Sequence, residues 1–465
     1  MLPSRMGSLN WVAALLLLCI GLGGSAMAFD MSVNTNLAVY WGQNSYGASN
    51  PNDTTNWQQP ISYYCADNMI DTIPIAFLSQ FYSTGGLPSM NLANTCTGAE
   101  DAVFPGTNLP NCDFLASDIE ACQAAGKIVT ISLGGATLGA GFSNDTEGTA
   151  YAQIIWDLFL GGSSTTRPFG AAVLDGIDMD IEGGSQTGYS AFLTALRTLM
   201  NGGDKQYYIT AAPQCPYPDA YIGTTLNEVE FDAVYVQFYD NYCGLTSFSN
   251  PDDWDYSQWD TWATTVSPNP NVKVYIGAPG SSAAASSGYV NASTMATIIQ
   301  QTRSSYSSFG GVMLWDASAA YANGRYDMAV KAVLTGSTGG TTTTTASTST
   351  TTTSYTSTTT PHTTNTTSHT STTTSHKSKA TSHTSTTTSP TTTKATTTTT
   401  TTAPATTTTP STGSCAGVVP WQPHLAYVGG DEVTYGGDLW TAKWWSEADV
   451  PGGVAGDWIN DGACT

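Results

Sequence analysis

Short apolar runs recur along residues 29–335: Leu37 to Trp41, Thr72 to Phe77, Lys127 to Leu133, Val173 to Ile181, Tyr207 to Ala211, Ala233 to Phe238, Val272 to Ile276 and Gly311 to Trp315. Between several of them lie helix-like stretches such as Tyr151 to Leu160, Tyr189 to Met200 and Met295 to Tyr306. Eight buried strands alternating with helices over about 300 residues predict an α/β protein, a closed parallel TIM (β/α)8 barrel. In such a barrel the C-terminal ends of the strands form the active face. Glu182, Tyr40, Gln237, Tyr239 and Trp315 are expected there.

The rest of the chain reads differently. Residues 336–414 are nearly all Thr and Ser with scattered Pro, and a seven-residue echo places His369, His376 and His383 in similar surroundings. That composition cannot bury a core and predicts a disordered, O-glycosylated linker. Residues 415–465 form an aromatic module bounded by Cys415 and Cys464. At the N-terminus, Arg5, the apolar run Trp11 to Leu22 and Ala26-Met27-Ala28 fit a secretion signal over residues 1–28. Of nine cysteines, Cys19 would leave with it, and the remaining eight predict four disulfides in an oxidising compartment. Asn52, Asn144, Asn291 and Asn365 each begin an Asn-x-Ser/Thr sequon.

Charge excludes several functions. With 13 basic and 35 acidic residues the net charge is -22, which argues against nucleic acid or an anionic membrane surface as partner. A neutral polymer fits better. All five histidines lie outside residues 29–335, so this domain has neither Ser-His-Asp nor Cys-His machinery and no imidazole metal site. Carboxylates and tyrosines remain for proton transfer.

Residues 175–182 read Asp-Gly-Ile-Asp-Met-Asp-Ile-Glu. On a strand, Asp178, Asp180 and Glu182 share one face and Ile177, Met179 and Ile181 the other. Three adjacent buried carboxylates cannot all ionise easily, so at least one should keep a proton near neutral pH. A protonated acid beside ionised neighbours suits cleavage of a glycosidic bond. A calcium loop fits the first, third, fifth and sixth positions but has Tyr189 where the twelfth requires a bidentate Glu. Magnesium on Asp-x-Asp stays open at this point.

The motif resembles the Asp-x-x-Asp-x-Asp-x-Glu signature of family 18 glycoside hydrolases. Val39-Tyr40-Trp41-Gly42-Gln43-Asn44, Ile75-Ala76-Phe77-Leu78, Ser132-Leu133-Gly134-Gly135, Ala211-Ala212-Pro213-Gln214-Cys215-Pro216, Val236-Gln237-Phe238-Tyr239 and Gly311-Val312-Met313-Leu314-Trp315 resemble the class III, hevamine-like chitinases. This resemblance implies a secreted endochitinase that cuts β-1,4 bonds between N-acetylglucosamine units with retention, without metal or cofactor. It implies that Glu182 is the general acid and that the substrate's 2-acetamido group is the nucleophile. Asp180 would orient that group, Asp178 would share its charge or proton, and Tyr239 would hydrogen-bond the acetamido oxygen. Tyr40 and Gln237 would contact sugar, and Trp315 would be the floor of the subsite before the cut. Asp240 departs from the asparagine common in hevamine-like relatives. The resemblance further implies Cys65–Cys122, Cys96–Cys112 and Cys215–Cys243 pairs.

Residues 415–465 resemble the small all-β chitin-binding modules of carbohydrate-binding family 5. Trp444, Trp445 and Tyr427 are expected to form the exposed stacking platform, with Trp421, Tyr435 and Trp458 in a core braced by Cys415–Cys464. The expected partners are chitin and chito-oligosaccharides, for a monomer outside a fungal cell. The rival function is a non-catalytic chitin-binding lectin or cell-wall protein, which the intact Glu182, Asp180 and Tyr239 disfavour.

Overall fold

The computed structural model describes residues 29–337 and, in the C-terminal part, 415, 418–422, 426–427, 432–442, 446–447, 450–453 and 458–464. The expected signal at 1–28, nearly all of the expected linker, and Trp444 and Trp445 lie outside the described residues.

Nine strands form the first sheet: β1 (Asn36–Val39), β2 (Thr72–Gln80), β3 (Ser89–Met90), β4 (Ile128–Gly135), β5 (Gly176–Ile181), β6 (Tyr208–Ala211), β7 (Ala233–Gln237), β8 (Lys273–Pro279) and β9 (Phe309–Trp315). Their order is β1-β9-β8-β7-β6-β5-β4-β2-β3, and a β1–β2 pairing at Ala38 and Thr72 closes eight of them into a parallel barrel. β3 adds to β2 antiparallel from within the long β2–β4 connection, which the Cys96–Cys112 disulfide braces. Each of the eight apolar runs in the sequence is one of the barrel strands.

Alternation along these strands sorts the core into two layers. Ile177, Met179 and Ile181 pack outward with the helices. Ala38, Ala76, Ala212 and Ala233 share the barrel interior with Tyr40, Tyr235, Tyr275 and Met313. Small residues opposite tyrosines fill the interior. Two surrounding helices start at sequon asparagines: Asn144 accepts from Glu147 N at 3.0 Å to open Asp145–Phe159, and Asn291 accepts from Thr294 N at 3.0 Å to open Ala292–Ser305. The disulfides Cys65–Cys122, Cys215–Cys243 and Cys415–Cys464 complete the expected set.

Asp255, at the start of the helix Tyr256–Thr265, is buried, and among the described residues no side chain hydrogen-bonds its carboxylate. Burial pushes its pKa up to about 7, and backbone amides offset this only in part. The native state therefore holds this proton more tightly than the unfolded chain does. Its contribution to stability is full below the ordinary carboxylate pKa and falls as pH rises toward 7. Asp255→Asn is expected to melt above wild type by roughly 5 °C more at pH 8 than at pH 4. Thermal melts at the two pH values check this, and an equal difference at both would contradict it.

The C-terminal module has a three-stranded antiparallel sheet of β11 (Glu432–Tyr435), β12 (Asp438–Ala442) and β14 (Trp458–Ala463), beside a short pair of β10 (Ala426–Tyr427) and β13 (Ser446–Glu447). Gly436 and Gly437, at φ 65° and 95°, make the two-residue turn of the β11–β12 hairpin. Two expectations reverse here. Tyr427 is 3 % exposed, packs edge-on to Trp458 at 5.2 Å and takes the Gln422 N–H on its hydroxyl, so it belongs to the core and not to a stacking platform. Tyr435 is 40 % exposed because it ends β11 at the turn, beyond the reach of the core beneath Val433, with Trp421 edge-on to it. Trp458 is buried as expected.

Candidate active site

β5 carries the acids into the barrel. Its register with β4 sets Ser132 beside Asp178 and Gly134 beside Asp180, and its register with β6 sets Thr210 beside Asp178. Gly134 has φ 112°, and a Cβ there would lie 2.3 Å from the Asp180 carbonyl, so only glycine lets the strands approach at this level.

Asp178 is fully buried. Its Oδ2 accepts from Tyr40 Oη and Ser132 Oγ, both at 2.6 Å, and its Oδ1 from Thr210 Oγ1 at 2.7 Å. Burial raises its pKa, while the three hydroxyl donors favour the ionised form and restrain the rise. Asp180 is 3 % exposed and accepts from Gln237 Nε2 at 2.8 Å. That amide nitrogen also donates to Ala212 O at 3.0 Å, which fixes its direction. Burial, then the charges of Glu182 and Asp178, hold the Asp180 carboxyl well above the usual range.

Glu182 stands just past the end of β5, half-buried, and hydrogen-bonds Asp180 and Gln237. Burial pushes its pKa up to about 7, with the charges of Asp240 and Asp219 adding to the rise and the two hydrogen bonds opposing it. Burial and mutual repulsion thus both disfavour two charges on the Asp180–Glu182 pair. Asp219 is itself buried and accepts the backbone N–H groups of Gln214, Tyr221 and Ile222, which shape the loop after β6.

Tyr239, two residues beyond β7, is 8 % exposed. Burial and then the charges of Asp180 and Glu182 keep its phenol protonated far above the ordinary tyrosine range, so it serves as a donor at any working pH. Trp315 ends β9, half-buried, stacked on Phe77 at 5.7 Å and an interplanar angle of 20°, with Tyr40 at 5.5 Å. Asp316 anchors the next residue by accepting Ser45 N and Ala319 N.

The structure brings Asp178, Asp180 and Glu182 together along and just past β5, with Tyr40 hydrogen-bonded to Asp178, Gln237 to Asp180, and Tyr239 and Trp315 at the same end of the barrel. Sequence reasoning did not single out Ser132, Thr210, Phe77 or Asp219 as site groups. Ser132 and Thr210 were detectable as polar residues at inward positions of otherwise apolar strands. Asp219 gave no such signal, because it lies in a loop. Among the described residues no group of three or more His, Cys, Asp or Glu side chains is placed to hold a metal ion.

A barrel with this array at its C-terminal mouth is matched by the family model for glycosyl hydrolases family 18 over residues 36–396. The chain belongs to that family. A carbohydrate-binding module family 5/12 model matches residues 420–458. Chitinase 2 of Rhizopus oligosporus is 47 % identical over 307 residues, which cover 66 % of this chain and 53 % of the relative, so the chain spans about half that protein's length. A class III chitinase of Arthroderma benhamiae is 38 % identical over 341 residues, covering 71 % of this chain and 94 % of the relative. The crystal structure of the chitinase ICChI from Ipomoea carnea is 30 % identical with a TM-score of 0.52, covering 64 % of this chain and 99 % of that one.

Proposed function

We propose that this family 18 chain is an endochitinase acting on β-1,4-linked N-acetylglucosamine, with Glu182 as proton donor and the substrate's own 2-acetamido oxygen as nucleophile. The observation that carries this reading is the Asp178–Asp180–Glu182 ladder, which holds a proton up to about pH 7 at the barrel mouth. An acetamide N–H can donate only to an acceptor, so a sugar bound against Asp180 favours Asp180 ionised and the shared proton on Glu182. The Glu182 proton then passes to the bridging oxygen as the acetamido oxygen attacks the anomeric carbon from the other side. Asp180 faces the positive charge that develops on the amide nitrogen, and Tyr239 orients the acetamido group. Asp178, held by three hydroxyl donors, raises the pKa of Asp180 through its charge and so shares in the proton balance of the pair. Trp315, backed by Phe77, offers a flat apolar floor for the sugar before the cut.

Release of new reducing ends from N-acetylated hexamers tests this reading, whereas binding without release would support a lectin instead. Residues 1–28 are read as a secretion signal, which with four disulfides makes the protein extracellular. Among the described residues no helix is long and apolar enough to cross a membrane.

Residues 336–414 are read as a Ser/Thr-rich linker and 415–465 as a chitin-binding module that raises the enzyme's local concentration on an insoluble surface. Trp444 and Trp445 keep their place in the proposed platform, with exposed Tyr435 as a further aromatic. Deleting residues 415–465 is expected to lower the rate on crystalline chitin by roughly tenfold while leaving soluble hexamers within about twofold. Side-by-side rates on the two substrates check this, and equal losses would remove the targeting role.

A further inference from the structure

Two of the sequon asparagines use one end of the side-chain amide and leave the other end free. Asn144 and Asn291 cap their helices through Oδ1, which accepts Glu147 N in the first and both Thr294 N and Ser293 Oγ in the second. Among the described residues, the Nδ2 of neither donates a hydrogen bond. Both asparagines are exposed, and so are Thr146 and Ser293, the hydroxyl residues that complete the two sequons. Nδ2 is the atom to which an N-linked glycan is joined, and the amide that results keeps the Oδ1 acceptor that the cap needs. A glycan at either position therefore costs no capping bond.

Position decides what such glycans would do. Asn144 lies in the connection after β4 and Asn291 in the one after β8, so both stand at the C-terminal end of the barrel, which carries Glu182, Tyr239 and Trp315. In the closed ring β7, β6 and β5 lie between β8 and β4 on one side, and β9, β1 and β2 on the other. The two asparagines thus flank the mouth from opposite sides. Each belongs to a segment seated against the site. Gly188, in the connection that follows Glu182, packs on the Asn144 backbone, where an added Cβ would lie 2.9 Å from the Asn144 carbonyl oxygen. Across the mouth Gly288 rests on Tyr239, with an added Cβ 2.6 Å from its Cα and Cβ, and Asp240 accepts the Ser287 N–H at 2.7 Å. These contacts hold the segment leading to Asn291 beside the site. Asn52, the third sequon of the barrel, is exposed in the connection after β1, midway between the other two.

We propose that Asn144 and Asn291 carry N-linked glycans that stand on opposite rims of the catalytic mouth and bar it from packed polymer faces, so that the barrel cuts chains already lifted from a crystal. This rests on the reading of the barrel as a chitin-cleaving enzyme and of residues 1–28 as a secretion signal. Each modification joins Nδ2 to the anomeric carbon of a lipid-pyrophosphate-linked oligosaccharide. The C–O bond to the pyrophosphate breaks, the lipid pyrophosphate leaves with the electron pair, and the amide gives up one proton. A glycan is bulky and strongly solvated, so two of them on one rim keep that face off a flat surface while a single chain passes between them.

The test uses the full chain secreted from a eukaryotic host. Peptide mapping after enzymatic removal of glycans in heavy-oxygen water marks each modified asparagine as a labelled aspartate, independently of activity. Both sites are expected to be marked, and an unmodified Asn144 or Asn291 would overturn the proposal. The double variant Thr146→Ala/Ser293→Ala removes both sequons but keeps both capping asparagines and the Asn52 sequon. Its rate on crystalline chitin per bound enzyme is expected to rise at least about threefold, with hexamer rates within about twofold of wild type. Trimming the glycans from native wild-type protein with an endoglycosidase should give the same rise without any substitution. An unchanged rate on crystalline chitin, or an equal rise on both substrates, would overturn the gate. Wild-type protein that releases no reducing ends from hexamers would sink the functional reading and the gate with it, while leaving the mapped sites intact.

Discussion

Glu182→Gln is expected to lower kcat on N-acetylglucosamine hexamers by about 10³-fold, with KM changed by no more than about threefold. Glutamine keeps the shape of the side chain and its approach to Gln237, but it has no acidic proton to give. The leaving alcohol would then depart as an alkoxide, and the barrier rises by the whole contribution of proton transfer. On this reading sugar binding rests on other groups, including Trp315 on Phe77, so affinity should survive. Steady-state kinetics with a reducing-end assay checks the split. Loss of affinity at an unchanged kcat would make Glu182 a binding residue.

Stripping the acetyl groups from the substrate should be as damaging as removing the acid. An acetamido oxygen held against the anomeric carbon acts at an effective concentration that intermolecular attack cannot reach, on the order of 10⁵ M or more. A free amine on the same sugar has no carbonyl oxygen to attack with. Near neutral pH it is also a cation, which would pair with Asp180 and Glu182 and hold both as anions, leaving no proton donor. Fully deacetylated hexamers are therefore expected to be cut at least about a thousandfold more slowly than N-acetylated ones.

Much of the barrel was legible because two signals agreed: eight apolar runs of strand length, and a β5 sequence whose alternation separates Asp178 and Asp180 from Ile177, Met179 and Ile181. Periodicity states which face a residue takes, and burial of the acids follows once the apolar face is assigned to the helices. It does not state what lies across the barrel. The Ser132 and Thr210 bonds to Asp178 depend on the registers of β4 and β6 with β5, and the Tyr40 bond on the closure of the barrel that brings β1 round beside β9 and β2. Asp219 and the Ser287 contact of Asp240 depend on loop paths, which no repeat encodes. The module shows the same boundary. Its aromatic richness was evident, but sorting Tyr427 inward and Tyr435 outward required knowing that one sits in a two-residue strand against Trp458 and the other ends a hairpin arm.

The most direct test of substrate-assisted cleavage is to follow wild-type hydrolysis of N-acetylated and fully deacetylated hexamers by proton NMR within minutes of mixing, before the products mutarotate. Attack by the substrate's own amide requires β-anomers at the new reducing ends of the first and essentially no product from the second. Initial α-anomers, or comparable cutting of both hexamers, would contradict it.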